Sequence, residues 1–415
     1  MLIALSGLEA PISLRNCDEA IPPLRTVLGS WSIRVLETSD QAASESAATI
    51  SIVGESQSYR ISSPWLDEPV IESTEVGAVF SLLAELARAF AESRPRRLCV
   101  HCAAVEIDGH LILFPNGENA GKSTLAASLA ARGLRLFADD VLAISETSRH
   151  AISLGIAPRL RLPLPRSAGA SFRAFVESHR GPGDEEFLYL ALPAAQLAQH
   201  GERAPLGAVV LLDRRPSAPV SLMPLARGHA MRQLIIQNFA PGGTSVRTID
   251  RLCSLIERMP CFALTYSNLE EAADFVVDRF AGARAPWRED TANQSRGQSD
   301  GGITIDLGRV RLSAARYTQT PGVTLRTVDD DVFLVKPDQA VFHLNAVAAG
   351  LWQLLEQPTT MAAAIDVLRQ LFPTADVRVV KRDVRKVFDA LRSAGLVMTA
   401  CDGASRKRAF VRSNN

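Results

Sequence analysis

Three groups of residues have types and spacing that could do chemistry: His101, the run Gly121-Lys122-Ser123-Thr124, and the pair Asp139-Asp140. The second is the tail of a phosphate-binding loop, G-x-x-x-x-G-K-[ST], in which backbone N–H groups turn inward onto phosphate oxygens. Counting back from Gly121 puts Asn116 where the first glycine of that pattern stands. Such loops need positive φ at some positions, and Asn is the side-chain-bearing residue that best tolerates it. Asn116 and Asn119 are therefore expected to take left-handed backbone in place of glycine. The candidate nucleotide-binding residues are Asn116, Gly117, Glu118, Asn119, Ala120, Gly121, Lys122, Ser123 and Thr124. Lys122 would reach the β- and γ-phosphates of ATP, and Ser123 would ligate Mg²⁺.

The elements around the loop must position these groups. Leu111–Phe114 is an apolar run that suits a buried strand, and Leu125 and Leu129 stand one helical turn apart, so the loop is expected between a strand and a helix from Thr124 to Arg132 closed by Gly133. Upstream, "CVHCAAVEIDGHLILF" reads as two strands joined by Asp108-Gly109, a strong two-residue hairpin signal. Pairing Ile107 with His110 and counting outward predicts that His101 faces Asn116. Downstream, "LRLFADDVLAI" is an apolar strand with Asp139 and Asp140 at its carboxyl end, where ligands sit in open α/β sheets. Two adjacent carboxylates there can divide labour, one holding Mg²⁺ and the other taking a proton from an attacking hydroxyl.

His101, the hairpin, "GKST" and "ARGLRLFADDV", with the spacings between them, resemble the core of HPr kinase/phosphorylase and the wider group of HPr-kinase-like proteins. The resemblance implies an ATP- and Mg²⁺-dependent kinase domain. It matches His101 to the family's active-site His, Lys122 to its loop Lys, Ser123 to a Mg²⁺ ligand and Asp140 to the general base, and leaves Asp139 to hold the metal. The chain departs from the family in having no acidic residue between Ala151 and Val176, where a metal-binding Glu is expected; "GIAPRLRLPLP" stands there instead. Arg159 and Arg161 in this stretch could meet phosphates or an acidic peptide, but are expected to be surface residues of an extended segment.

Lys+Arg and Asp+Glu number 45 each in the 415 residues, so no global charge directs the chain to nucleic acid or to a membrane. No run approaches the roughly 18 to 20 apolar residues of a membrane span. The opening "MLIALSGLEAPISLRNC" lacks the basic start of a signal peptide, and a cytoplasmic location is expected. Six cysteines scattered along the chain suit reduced thiols. Cys99 and Cys102 have C-x-x-C spacing, but no second pair follows, so they are expected to be buried and structural.

Residues 285–302, "APWREDTANQSRGQSDGG", form a polar linker, and 37–48 a Ser/Ala/Glu-rich surface loop. Strands and helices mix before the linker, giving an α/β domain over 1–284. Residues 303–399 form a second domain and 400–415 a tail. In the second domain three short strand candidates end near Leu344, and three helices follow with apolar faces at Leu351, Leu354 and Leu355, at Ile365, Leu368 and Leu371, and at Val380, Val384, Val387, Phe388 and Leu391; Gly395 closes the last. This pattern, with "FHLNAVAAGLWQLL" its most telling part, resembles the PqqD-like family, the recognition element for precursors of ribosomally made, modified peptides. The resemblance implies a small α+β winged-helix-like fold that takes a leader peptide as an added strand. The last helix carries Arg378, Lys381, Arg382, Arg385, Lys386 and Arg392 against three aspartates, an excess that suits an acidic leader or phosphates.

Together these readings predict a kinase of a Ser, or a Thr, in a precursor peptide whose leader is held by the second domain. The alternatives are an ATP-binding peptide chaperone or scaffold without phosphoryl transfer, a kinase of a small hydroxyl substrate, and a nucleotide-sensing transcription factor built on the winged helix.

Overall fold

The computed structural model describes residues 1–36, 49–117, 119–146, 149–239, 245–282, 315–371 and 376–399. The predicted loop 37–48, the linker 285–302 and the tail 400–415 lie outside them. The chain divides into two compact units, Met1–Gly243 with Arg251–Asp290, and Thr244–Asp250 with Thr291–Asn415.

The first unit holds two large sheets. In the smaller, six strands run in the order Ile33–Val35, Leu2–Leu5, Ile12–Arg15, Ile50–Gly54, Tyr59–Ser62 and Val70–Glu72. The helix Glu75–Glu92 packs on it. Val79, Leu82, Leu83, Leu86 and Phe90, expected at helical spacing, are all buried there, and Thr74 caps the helix by accepting from the Gly77 amide at 3.0 Å.

The second sheet has nine strands built around the 12-residue strand Arg203–Arg214. This strand pairs in parallel with His110–Phe114 (Leu206 opposite Leu111) and with Cys261–Tyr266 (Val209 opposite Cys261). Its run "LGAVVLL" is apolar almost throughout because neighbours cover it on both faces, as parallel strands require. Helices Lys122–Ala130 and Leu269–Phe280 pack on this sheet through Leu125, Leu129, Ala272 and Val276. A separate three-stranded sheet, Arg159–Arg161, Phe187–Leu190 and Arg180–Gly183, closes one side of the unit.

The hairpin register is as predicted, from Ile107 opposite His110 to Ala103 opposite Phe114. Asp108 and Gly109 both have positive φ, 48° and 74°, which is what a two-residue turn between twisted strands demands. The pairing ends at Ala103, however. At Cys102 the chain changes partner, its amide donating to the Asp140 carbonyl at 3.2 Å, and Leu98–His101 pairs instead with Val141–Ile144, His101 opposite Val141. The expectation that His101 faces Asn116 is therefore corrected. Continuous counting failed because the strand breaks at one residue.

In the second unit, Thr324–Val328, Asp331–Val335 and Val341–Leu344 form an antiparallel meander. Helices Ala346–Leu354, Met361–Leu371 and Val377–Ser393 follow, and Arg316–Gln319, Thr359–Thr360 and Val397–Thr399 make a further three-stranded sheet. The residues of "FHLNAVAAGLWQLL" have separable structural tasks. His343 bonds Asp331 at 2.6 Å, Asn345 caps the first helix by accepting from the Ala348 amide at 2.9 Å, and Leu351 and Trp352 are buried in the core. Of the apolar positions expected inside, Leu371 is an exception at 53% exposed, since it is the last residue of its helix. The six basic residues of the last helix are all exposed.

Candidate functional site

The loop between His110–Phe114 and Lys122–Ala130 has the strand, loop, helix setting expected of a phosphate cradle. Gly121 caps the helix with φ +91°, and a Cβ there would sit 3.1 Å from the Tyr266 hydroxyl, so backbone and space both demand glycine. Asn119 is left-handed as expected, with φ +60°. Asn116 is not among the positive-φ residues and has a different task. Its Nδ2 donates to the Leu212 carbonyl at 3.0 Å, and the Leu212 amide donates to its Oδ1 at 2.8 Å. The side chain thus imitates a backbone pair and fastens the start of the loop to the central strand. That side-chain bond, unavailable to glycine, is the physical reason for Asn in the first-glycine position. Glu118 lies outside the described residues.

Lys122 is buried, and its Nζ donates to the carbonyls of Asn116 and Gly117 at 2.9 and 3.0 Å, so the ammonium lies along the rim of the loop. Ser123 follows on the first helical turn and lies beside Asp139. Asp139, the residue after the strand Arg135–Ala138, is 5% exposed. One of its oxygens, Oδ2, accepts from the Arg159 amide at 2.9 Å, and the other, Oδ1, is buried without a hydrogen-bond partner. Burial first, and the charge of Asp140 second, push its carboxyl up to about 7, against the lowering effect of the Arg159 amide and the Ser123 side chain.

Asp140 is 41% exposed at its side chain and stands between two nitrogen groups. His101 Nε2 is 3.8 Å from its Oδ1, and Arg159 Nη2 is 3.9 Å from its Oδ2. The strand switch at Cys102 has this consequence: it carries His101 away from the loop's first residue and sets it beside the second aspartate.

These groups line one cavity of about 710 Å³, together with Phe80, Leu83, Phe187 and Tyr189. His101, Lys122, Ser123, Asp139 and Asp140 are all on its wall, as are Asn119, Ala120, Gly121 and Thr124. Asn116 and Gly117 are not among the lining residues. Arg159 and Arg161 also line the cavity; Arg161 is exposed on an extended segment, as expected, whereas Arg159 is largely buried, which corrects the reading of it as a plain surface residue. The Arg159 guanidinium lies 3.5 Å from the Phe80 ring centre and 4.4 Å from that of Phe187. Nothing in the local sequence gave Phe80 a role beside Arg159, because it comes from a helix that precedes the loop. The only signal for the arginines was their own alternation, "RLR".

Cys99 and Cys102 are buried, and burial pushes both thiols up to about 12. That is the environment of inert structural cysteines. Among the described residues no group of three His, Cys, Asp or Glu could hold a metal by itself. A Mg²⁺ ion is nonetheless compatible with what is present, since it takes oxygen ligands, often one or two from protein and the rest from phosphates and water. The orphaned Oδ1 of Asp139 and the Ser123 hydroxyl offer such oxygens.

Residues 331–397 match the family described as coenzyme PQQ synthesis protein D, and this part of the chain is a PqqD domain. No curated protein matches the chain. Similar solved structures include TbiB1 in complex with the TbiA(beta) leader peptide, at 27% identity over 19% of this chain and 93% of that chain, with a TM-score of 0.18. They also include the Hpr(Ser) kinase/phosphatase from Coxiella burnetii, at 12% identity over 44% of this chain and 93% of that one, with a TM-score of 0.21. Among the described residues no helix is long and apolar enough to cross a membrane.

Proposed function

We propose that the chain is an ATP-dependent kinase of a ribosomally made precursor peptide, with its acceptor hydroxyl on Ser or Thr. The observation that carries this is the convergence of Lys122, Ser123, Asp139, Asp140 and His101 on one cavity whose floor is a phosphate-type loop. Lys122, released from the loop carbonyls, meets the β- and γ-phosphates. Ser123 and Asp139 would hold Mg²⁺, which supplies charge neutralisation between phosphate oxygens. Asp140 is the more exposed carboxylate and takes the proton of the acceptor hydroxyl. His101 orients that carboxylate from the opposite side.

The PqqD domain over 303–399, read as a winged-helix-like unit, holds the leader. Its meander offers a strand edge for an added peptide, and the exposed basic helix Val377–Ser393 favours acidic residues in it. TbiB1, one of the similar structures, is in complex with a leader peptide. The linker 285–302 keeps the acceptor near the cavity by raising its effective concentration.

The test is label transfer from γ-labelled ATP to a full-length precursor peptide, with mass spectrometry locating the phosphate. A phosphorylated Ser or Thr supports the reading. ATP binding and peptide binding without any transfer would favour a scaffold that uses nucleotide only as a conformational ligand.

A further inference from the structure

Arg159 is held by three elements at once. Its backbone amide donates to Asp139 Oδ2 at 2.9 Å, its guanidinium Nη2 stands 3.9 Å from Asp140 Oδ2, and its guanidinium carbon lies within 4.4 Å of the ring centres of both Phe80 and Phe187. The two rings are 6.2 Å apart and within 13° of parallel. Aromatic rings at these distances attract the cation and hold its planar fork in place. Nη1 is buried and has no hydrogen-bond partner. A purely structural arginine would have its donors satisfied, because a buried unpaired donor costs about 1 to 3 kcal/mol.

The placement beside Asp140 says what the guanidinium is for. A hydroxyl oxygen bonded to Asp140 Oδ2 lies within reach of Nη2, so whatever forms on that oxygen forms beside the guanidinium. We infer that Arg159 is a catalytic residue that binds the equatorial oxygens of the transferring phosphoryl group from the acceptor side, opposite Lys122. This rests on the phosphoryl-transfer reading above. In the step it serves, the acceptor oxygen bonds to the γ-phosphorus as the bond to the β-bridging oxygen breaks. The hydroxyl proton passes to the Asp140 carboxylate and then to water, and ADP departs with the electron pair of the broken bond. As the electron pair moves to ADP, the charge of the group in flight stays spread over its three equatorial oxygens, and the guanidinium is fixed in advance beside them.

The experiment needs no knowledge of the peptide. Fluorescent ADP, Mg²⁺ and aluminium fluoride reproduce the charge and shape of the phosphoryl group in flight, and release of the ADP is followed after dilution. The wild-type chain is expected to retain ADP when fluoride is present, and R159M to release it roughly 100-fold faster, the scale for losing one preorganised donor. R159K, which keeps charge and stem but not the planar fork, is expected to fall between. Affinity for MgADP alone, which lacks the transferred group, serves as the folding control and is expected to match the wild type in both variants. Equal fluoride-dependent retention in wild type, R159K and R159M overturns the inference while leaving the kinase reading intact. Absence of such retention in the wild type overturns the phosphoryl-transfer reading and the inference with it.

Discussion

Asp140 and Asn116 carry the sharpest expectations at the scale of single residues. Asp140→Asn keeps the side-chain shape and a hydrogen-bonding oxygen but cannot take a proton. It is expected to retain ATP binding while transfer to peptide falls by roughly 100-fold or more, the usual worth of a general base; parallel nucleotide-binding and label-transfer assays separate the two. Asn116→Ala removes both bonds to Leu212. At about 1 kcal/mol net each, their loss is expected to weaken ATP binding by up to roughly 30-fold, measured by titration calorimetry, and Asn116→Gly to do the same. That Lys122, Ser123 and the aspartate pair would come together was legible in the sequence, because they follow one another at fixed spacing around a strand, a loop and a helix. The role of Asn116 was not, since a pattern of glycines invites a reading in terms of φ and says nothing of a strand some ninety residues downstream.

Among elements, the extended stretch after His150–Ser153 is held by bonds to an earlier part of the chain. Trp31 Nε1 donates to the Leu154 carbonyl at 2.6 Å, and the Ala157 amide donates to the Val27 carbonyl at 3.0 Å. Gly155 between them has φ +64°, and a Cβ there would lie 2.2 Å from Ser30 Oγ and 2.5 Å from the His200 amide nitrogen. Gly155→Ala is therefore expected to destabilise the first unit by about 1 to 3 kcal/mol or more, from strained backbone and forced displacement together, read as a lowered midpoint in urea. The strand Leu98–His101 and the residue after it bear on a different measurement. With both thiols pushed up to about 12 by burial, Cys99 and Cys102 are expected to resist alkylation at pH 8 in the folded protein and to react at once in denaturant, as counted by intact mass. Fast native labelling would mean that this strand opens. Strand and helix identity was readable here from periodicity; the change of partner at Cys102 was not, because it depends on which neighbour completes the sheet.

At the scale of the whole chain, the proposed division between a leader-binding domain and a phosphate-transferring one can be tested by truncation after about Ala285. The shortened chain is expected to bind ATP as before and to phosphorylate full-length precursor with a raised KM and little change in kcat, because leader contacts made far from the reacting atoms are equal in ground and transition states. A leaderless acceptor peptide is expected to be equally poor for both chains. Steady-state kinetics on the four combinations decide it, and unchanged values throughout would assign the PqqD domain another partner. The PqqD domain itself was plain in the sequence, since "FHLNAVAAGLWQLL" combines a cap, a core Trp and a strand end in one short run.

Phe80 belongs to the helix Glu75–Glu92, while Lys122, Asp139 and Asp140 come from a later stretch of the chain. On the proposed function, the wall that would face the acceptor and the groups that would hold the nucleotide are thus written in separate passages of the same unit. Changes in the first passage would then alter acceptor preference while leaving the proposed phosphate-binding groups in place. For an engineer, the natural place to randomise is Phe80 with its neighbours Leu83 and Ala84, which shape the cavity from a helix that supplies none of the phosphate-loop residues.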